Sequence, residues 1–269
     1  MTTILKKIEV KGNGLMKNRE CCVQILPSSK GKIRFFVEES KEPIIFDVES
    51  VISTDHCVVL GNGKTKVMLT EHFSAACAFL GIDSLDVHIS KPEMPILDGS
   101  AKEWVELFKK AGYEKSEKVS YSVKEPVYYL NGKTHLVIIP DKELNITYSV
   151  QYDHPELDHT WVSFNGRGED EIISARTFGY LKDLRKFQLF GFARGVTMEN
   201  TVGLNGESYT TKLRSCFEPV KHKILDLIGD LYLTGVNPLD LKAQIIVKEA
   251  GHAVHIKAAK MLKNKLIKI

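Results

Sequence analysis

The chain has 269 residues, 43% hydrophobic and 26% charged, and 37 Lys+Arg against 34 Asp+Glu leave a formal net charge of +3. At roughly 100–200 residues per domain, this length predicts one large or two modest domains whose core needs no covalent staple. The composition excludes a disordered chain, no apolar run approaches the ~20 residues of a membrane-spanning helix, and the small net charge excludes a molecule-wide field for nucleic acid or anionic membrane.

Strand patterns come first, at 4–10, 22–26, 33–37 and 58–60, separated by turn-rich stretches such as 27–31 and 61–64. Thr70 then stands as an N-cap before Glu71-His72 and an apolar run that stops at Gly81, which predicts a helix. A strand over 85–89, the loop KPEMPILDGS and an amphipathic helix over SAKEWVELFKKAG follow, the last with Trp104, Val105, Leu107 and Phe108 on its apolar face. The charged stretch YEKSEK reads as a linker, placing a domain boundary at 116/117.

The order then repeats. Strands are expected at 120–127, 135–139 and 144–150, a helix opening at His222, a strand over 239–247 and a final helix over 252–267. Both halves carry a His-initiated apolar helix followed by a Leu-Asp strand start (Leu85-Asp86 and Leu239-Asp240), so the chain reads as a duplication with domains 1–116 and 117–269. The second half adds FGYLKDLRKFQLFGFARGVTMEN, an insert around 178–203 with a helical middle.

Five cysteines contain no Cys-x-x-Cys pair, so neither a disulfide framework nor thiolate zinc is indicated, and a reducing compartment fits. The N-terminus lacks the order of a signal peptide, which predicts a cytoplasmic protein. Nine histidines without clustered cysteine direct any metal toward nitrogen and oxygen ligands.

His222, Asp226 and Asp230 recur at i, i+4 and i+8 and form one polar stripe on an otherwise apolar helix. Buried carboxylates need a cation or a partner, so the stripe is either part of a site or a solvated seam. Glu71-His72 offers a second carboxylate and imidazole where helix capping would also explain the Glu. His252, after Gly251, marks a third helix start. Two imidazoles and one carboxylate with an open fourth position would suit a catalytic zinc and hydrolysis. His154 and His159 in DHPELDH read as an exposed hairpin loop and a second-rank metal candidate. His56, His88 and His135 lack an acidic partner at ligand spacing, and His255 has aliphatic and lysine neighbours.

Five segments, EHFSAACAFLGID, KPEMPILDGSA, ISARTFGYLKD, HKILDLIGDLYLTG and AGHA, resemble in order and interval the UDP-3-O-acyl-N-acetylglucosamine deacetylases, over about residues 9–262. The resemblance implies an α+β fold of two similar domains, each a sheet packed on helices, with the active site at their interface. It implies zinc-dependent removal of the N-acetyl group of UDP-3-O-(3-hydroxyacyl)-N-acetylglucosamine, releasing acetate, the committed step of lipid A biosynthesis. Carried over residue by residue, it makes His72, His222 and Asp226 the Zn²⁺ ligands and Glu71 the general base. Thr177 becomes the oxyanion donor, and His252 the cationic acid partnered by Asp230. Lys223 falls at the diphosphate end, and Phe178, Leu184 and Ala193 line the acyl passage.

The family's Gly-x-Gly-Leu-His segment is here Gly12-Asn13-Gly14-Leu15-Met16, which replaces a histidine associated with inhibitory second-metal binding. RSCFEPVK also departs from the more acidic family version. The expected partner is the acylated UDP-sugar, with a monomeric chain, no nucleic acid and at most weak membrane-surface contact. Two alternatives stay open: a zinc amidase for a related N-acyl sugar nucleotide, and a non-catalytic RNA-binding α+β module. The C-terminal lysines 257, 260, 263, 265 and 268 are expected to form a solvated helix face.

Overall fold

The computed structural model describes residues 1–114 and 119–269, so the expected boundary at 116/117 lies outside the described residues. Strands with period-two burial build two five-stranded sheets. The first runs, edge to edge, Ile8–Asn13, Glu20–Pro27, Leu85–Ile89, Ile33–Val37 and Ile44–Ile45. The second runs Val127–Asn131, Thr134–Pro140, Ala243–Lys248, Asn145–Val150 and Thr160–Phe164. Three antiparallel pairings and one parallel pairing fall at the same places in both, so the repeat seen in the sequence is a repeat of topology.

Six α-helices are present among the described residues: α1 (Glu71–Leu80), α2 (Lys102–Ala111), α3 (Glu169–Ile173), α4 (Leu181–Leu189), α5 (Glu218–Tyr232) and α6 (His252–Lys263). Nearly every residue of α1 and α5 is buried, as expected of helices that are apolar on most faces. On the first-half side, Phe73 of α1 meets Phe35, Trp104 and Phe108 edge-on at centroid distances of 5.8, 5.3 and 5.7 Å. Where α1 crosses α5, Gly229 is required: a Cβ there would lie 2.2 Å from the Glu71 carbonyl oxygen. Ser74 Oγ closes the crossing by donating to the Glu71 and Gly229 carbonyls.

Each half also carries a small three-stranded sheet. In the second half, Thr177–Tyr180 pairs in parallel with Thr201–Asn205 across α4, which is the insert expected around 178–203. Among the described residues, no helix is long and apolar enough to cross a membrane.

Several boundaries differ from expectation. The first strand begins at Ile8, and Ile4 makes only an isolated bridge to Tyr113. Pro126 cannot donate to a ladder, and 120–127 accordingly splits into Tyr121–Val123 and a strand starting at Val127. Helix α5 begins at Glu218 with Pro219 in its first turn, so His222 sits one turn inside the helix. Thr70 has helical backbone angles and makes no side-chain cap. A 3-10 turn, Pro238–Asp240, precedes the strand expected from 239. The last helix stops at Lys263, and Leu266–Lys268 pairs with Tyr121–Val123. Lys263 and Lys265 are tied to Asp47 and Glu125, so the lysine run is not one solvated helix face.

Candidate active site

Three helices converge on one buried polar cluster. The first turn of α1 supplies Glu71 and His72, one face of α5 supplies His222, Asp226 and Asp230, and the first turn of α6 supplies His252. Glu71, His72, His222 and Asp226 are each at most 4% exposed, and Asp230 is 0% exposed.

His222 Nδ1 lies 2.9 Å from the Ala175 carbonyl oxygen. A carbonyl only accepts, so Nδ1 carries the hydrogen and Nε2 keeps its lone pair. That Nε2 is 3.4 Å from Asp226 Oδ1, and His72 Nε2 is 3.8 Å from the same oxygen. Among the described residues Asp226 Oδ1 has no hydrogen-bond partner, while Oδ2 accepts from Lys223 Nζ at 2.8 Å. A buried carboxylate oxygen without a donor, facing two imidazole nitrogens, is the arrangement a cation would complete. His72, His222 and Asp226 together could hold a metal ion.

Burial, with His222 adding to it, lowers His72 to about 3, and burial lowers His222 as well, so both rings stay neutral and able to ligate. Burial opposes charge on Asp226, but His222 and Lys223 hold its carboxyl well below the usual range. Burial raises Glu71 to about 7, with His252 working against the shift and Asp230 and Asp226 adding to it. Burial disfavours the His252 cation, yet Asp230, bonded to Nδ1 at 2.7 Å, brings it to about 9. The result is a carboxyl that titrates near neutrality beside an imidazole that titrates above it, with His252 Nε2 3.8 Å from Glu71 Oε1.

Glu71, His72, His222, Asp226 and His252 face a cavity of about 210 Å³ that also reaches Thr177, Phe178, Lys223 and Tyr152, with Asp230 buried behind His252. A second, mostly apolar cavity of about 280 Å³ adjoins it through Thr177 and Phe178 and is lined by Leu184 and Ala193 as well. The residues singled out in the sequence are therefore brought together, the metal-ligand candidates in one cavity and the acyl-passage candidates in the other.

The model of the family LpxC, UDP-3-O-acyl N-acetylglycosamine deacetylase, matches residues 1–264. The UDP-3-O-acyl-N-acetylglucosamine deacetylase of Nostoc sp. strain PCC 7120 is 32% identical over 274 residues, covering 97% of both chains. That of Leptospira biflexa is 31% identical over 272 residues, covering 97% of this chain and 88% of its own. That of Syntrophus aciditrophicus is 32% identical over 270 residues, covering 97% and 85%. The chain belongs to the UDP-3-O-acyl N-acetylglycosamine deacetylase family. Membership makes it a hydrolase of an amide bond, in a family whose reaction serves lipid A synthesis and depends on zinc.

The contacts that hold this cluster in place were not read from the sequence. Glu218 accepts from Arg176 N, Nε and Nη2 and from Arg214 N at 3.0, 2.8, 3.2 and 2.7 Å, clamping the segment between Ala175 and Thr177. The loop KPEMPILDGS acts as a brace: Glu93 accepts from the amides of Met16 and Lys17, and the Gly99 carbonyl accepts from Thr177 N. Gly99, at φ +81°, lies where a Cβ would be 1.7 Å from the Asn200 carbonyl oxygen, which explains the glycine. Met16 is buried at 5% exposure, and its carbonyl accepts from Arg194 of the insert.

DHPELDH is not simply an exposed hairpin. His154 is buried, stacks on Tyr209 at 4.3 Å and caps the 3-10 turn Pro155–Leu157. Among the described residues, His154 and His159 belong to no metal-ligand cluster. His255 stands on Asp230 and Tyr148, a setting invisible in its sequence neighbours.

Proposed function

We propose that the chain hydrolyses the N-acetyl group of UDP-3-O-(3-hydroxyacyl)-N-acetylglucosamine, releasing acetate, with Zn²⁺ held by His72, His222 and Asp226. The observation that carries this reading is the donor-less Asp226 Oδ1 facing two neutral imidazole Nε2 atoms beside Glu71 and His252. A zinc ion there would lower the pKa of a water and polarise the acetamide carbonyl.

Glu71 acts as general base, its carboxyl taking the water proton as the oxygen adds to the carbonyl carbon. Its value of about 7 keeps that carboxylate available near neutrality. Thr177 donates its hydroxyl to the developing oxyanion. His252, kept cationic by Asp230, gives its Nε2 proton to the departing sugar nitrogen, so the C–N bond breaks to amine and acetate.

Lys223 adds positive charge on the side that receives the diphosphate; its Nζ already rests on Asp226 Oδ2. The acyl chain enters the apolar cavity lined by Phe178, Leu184 and Ala193. The domain division at 116/117, a cytoplasmic location, a monomeric chain, at most weak membrane-surface contact and no nucleic-acid partner belong to the same reading.

The test is acetate release from the acylated UDP-sugar together with metal analysis. About one zinc per chain is expected from this donor set. Loss of activity on chelation and recovery with zinc support the reading, and full activity in metal-free protein refutes it.

A further inference from the structure

Helix α6 carries a second imidazole one turn after His252, and it is wholly buried. His255, Asp230 and Tyr148 are each 0% exposed. His255 Nδ1 is 2.8 Å from Asp230 Oδ2, the same oxygen that His252 Nδ1 approaches at 2.7 Å. On the other side of the ring, Nε2 is 2.8 Å from the Tyr148 hydroxyl, which donates to the Ala250 carbonyl at 2.7 Å.

The hydrogens can be counted. Burial disfavours the His255 cation, so the neutral ring has one N–H; with it on Nδ1, the Nε2 lone pair accepts from the Tyr148 hydroxyl, whose single hydrogen is shared with the Ala250 carbonyl. A carboxylate only accepts, so both Nδ1 atoms facing Asp230 Oδ2 carry hydrogen. Among the described residues Asp230 Oδ1 has no hydrogen-bond partner, which leaves these two N–H groups as the donors that fix the carboxylate. The chain of contacts runs from α5 through α6 to the strand Asn145–Val150 and ends beside Gly251, where α6 begins.

We propose that His255 is a positioning residue for the deacetylation. By donating Nδ1–H to Asp230 Oδ2, it holds the carboxylate in the orientation that keeps the His252 ring with Nε2 between Glu71 Oε1 (3.8 Å) and Asp226 Oδ2 (3.9 Å). Two donors on one oxygen set the plane of the carboxylate, whereas one donor leaves it free to turn. His255 touches none of the reacting atoms and acts through Asp230. This role rests on the reading of His252 as proton donor given above.

The test separates the two ring nitrogens. Asparagine at 255 places an amide N–H where Nδ1 stands and gives up Tyr148; glutamine, closer to histidine in volume, reaches toward Tyr148 and withdraws the donor from Asp230. In the zinc-loaded full chain, His255→Asn is expected to keep kcat within about threefold. His255→Gln is expected to lose about tenfold to a hundredfold in kcat with KM unchanged, the range typical of a supporting hydrogen bond. Equal kcat in the two variants, or a rise in KM alone, overturns the proposal.

Should His255→Gln fail to fold, NMR of the imidazole N–H groups in the unaltered chain carries the test. Exchange-protected Nδ1–H signals are expected from both His252 and His255, and a His255 Nδ1 without hydrogen overturns the proposal. His252→Gln is measured in parallel. Full activity there refutes the role given to His252, whereas an inactive His252→Gln beside an unaffected His255→Gln refutes only the positioning role.

Discussion

His222 Nδ1 donates to the Ala175 carbonyl at 2.9 Å, and this single bond decides which nitrogen of His222 faces Asp226. The carbonyl belongs to the segment whose next residue, Arg176, is held by Glu218 at the start of the same helix. A clamp at the first turn of α5 therefore orients a side chain one turn later.

That clamp gives the first prediction. Glu218→Ala leaves the buried Arg176 guanidinium unpaired, which costs about 3–5 kcal/mol when one partner of a buried pair is removed. The expected outcome is a clearly lower Tm and, because Ala175 loosens from His222, a zinc affinity reduced about tenfold to a hundredfold. Thermal unfolding and competitive zinc titration measure the two effects separately.

Glu218 also predicts an acid sensitivity. Burial works against its ionisation, but Arg176 and the amides of Arg214 and Arg176 hold its carboxyl below the ordinary value. A carboxyl lowered on folding contributes stability that is present above its unfolded value and is lost as pH falls through the folded one. Denaturant midpoints measured downward from pH 5 are expected to fall more steeply in the unaltered chain than in Glu218→Gln. Parallel curves would contradict this assignment.

The roles proposed for Glu71 and His252 predict a pH–rate profile. The proposed roles require Glu71 ionised and His252 protonated, so kcat/KM is expected to rise through an acid limb and fall through a basic one, with about 7 and about 9 for the protein alone. A bound cation favours the carboxylate and disfavours the imidazolium, which places both limbs at or below those values. Asp230→Asn removes the charge that sustains the His252 cation, and its basic limb is expected to move to lower pH. A profile that keeps the same basic limb would rule out Asp230 as its cause.

Gly229 separates helix propensity from packing. Alanine is favoured over glycine in a helix interior by about 1 kcal/mol. Here its Cβ would meet the Glu71 carbonyl oxygen at 2.2 Å, and backbone cannot swing aside as a side chain can. Overpacking of this kind costs about 1–3 kcal/mol, so the net effect of Gly229→Ala is destabilising. It also pushes His72 away from His222 and Asp226, and weaker zinc binding should accompany the lower Tm.

The apolar cavity makes a prediction about substrate length. Leu184→Trp fills space beside Phe178 and Ala193. kcat/KM is expected to fall most for long acyl chains and least for short ones, by about tenfold at the extreme, as a few lost methylene contacts allow. A uniform loss across chain lengths would place the chain elsewhere.

The helices and the central stripe were legible because they follow from period: His222, Asp226 and Asp230 must share a face wherever α5 runs. The duplication was legible because equal topology leaves equal element order. What the sequence concealed depends on approach between distant segments. Nothing near Gly99 announces the Asn200 carbonyl, and nothing near His255 announces Asp230 and Tyr148. Among the boundaries missed were those set by proline, at Pro126 and Pro219, and by pairing of Leu266–Lys268 with a strand far back in the chain.

The most direct measurement is acetate release from the acylated UDP-sugar by chelator-stripped protein as zinc is returned, for the unaltered chain and for His72→Ala, His222→Ala and Asp226→Ala. Activity is expected to reach its maximum at about one equivalent of zinc in the unaltered chain and to stay near background in all three variants. Full activity without zinc, or restoration of any of the three variants by one equivalent, would contradict the metal centre described above.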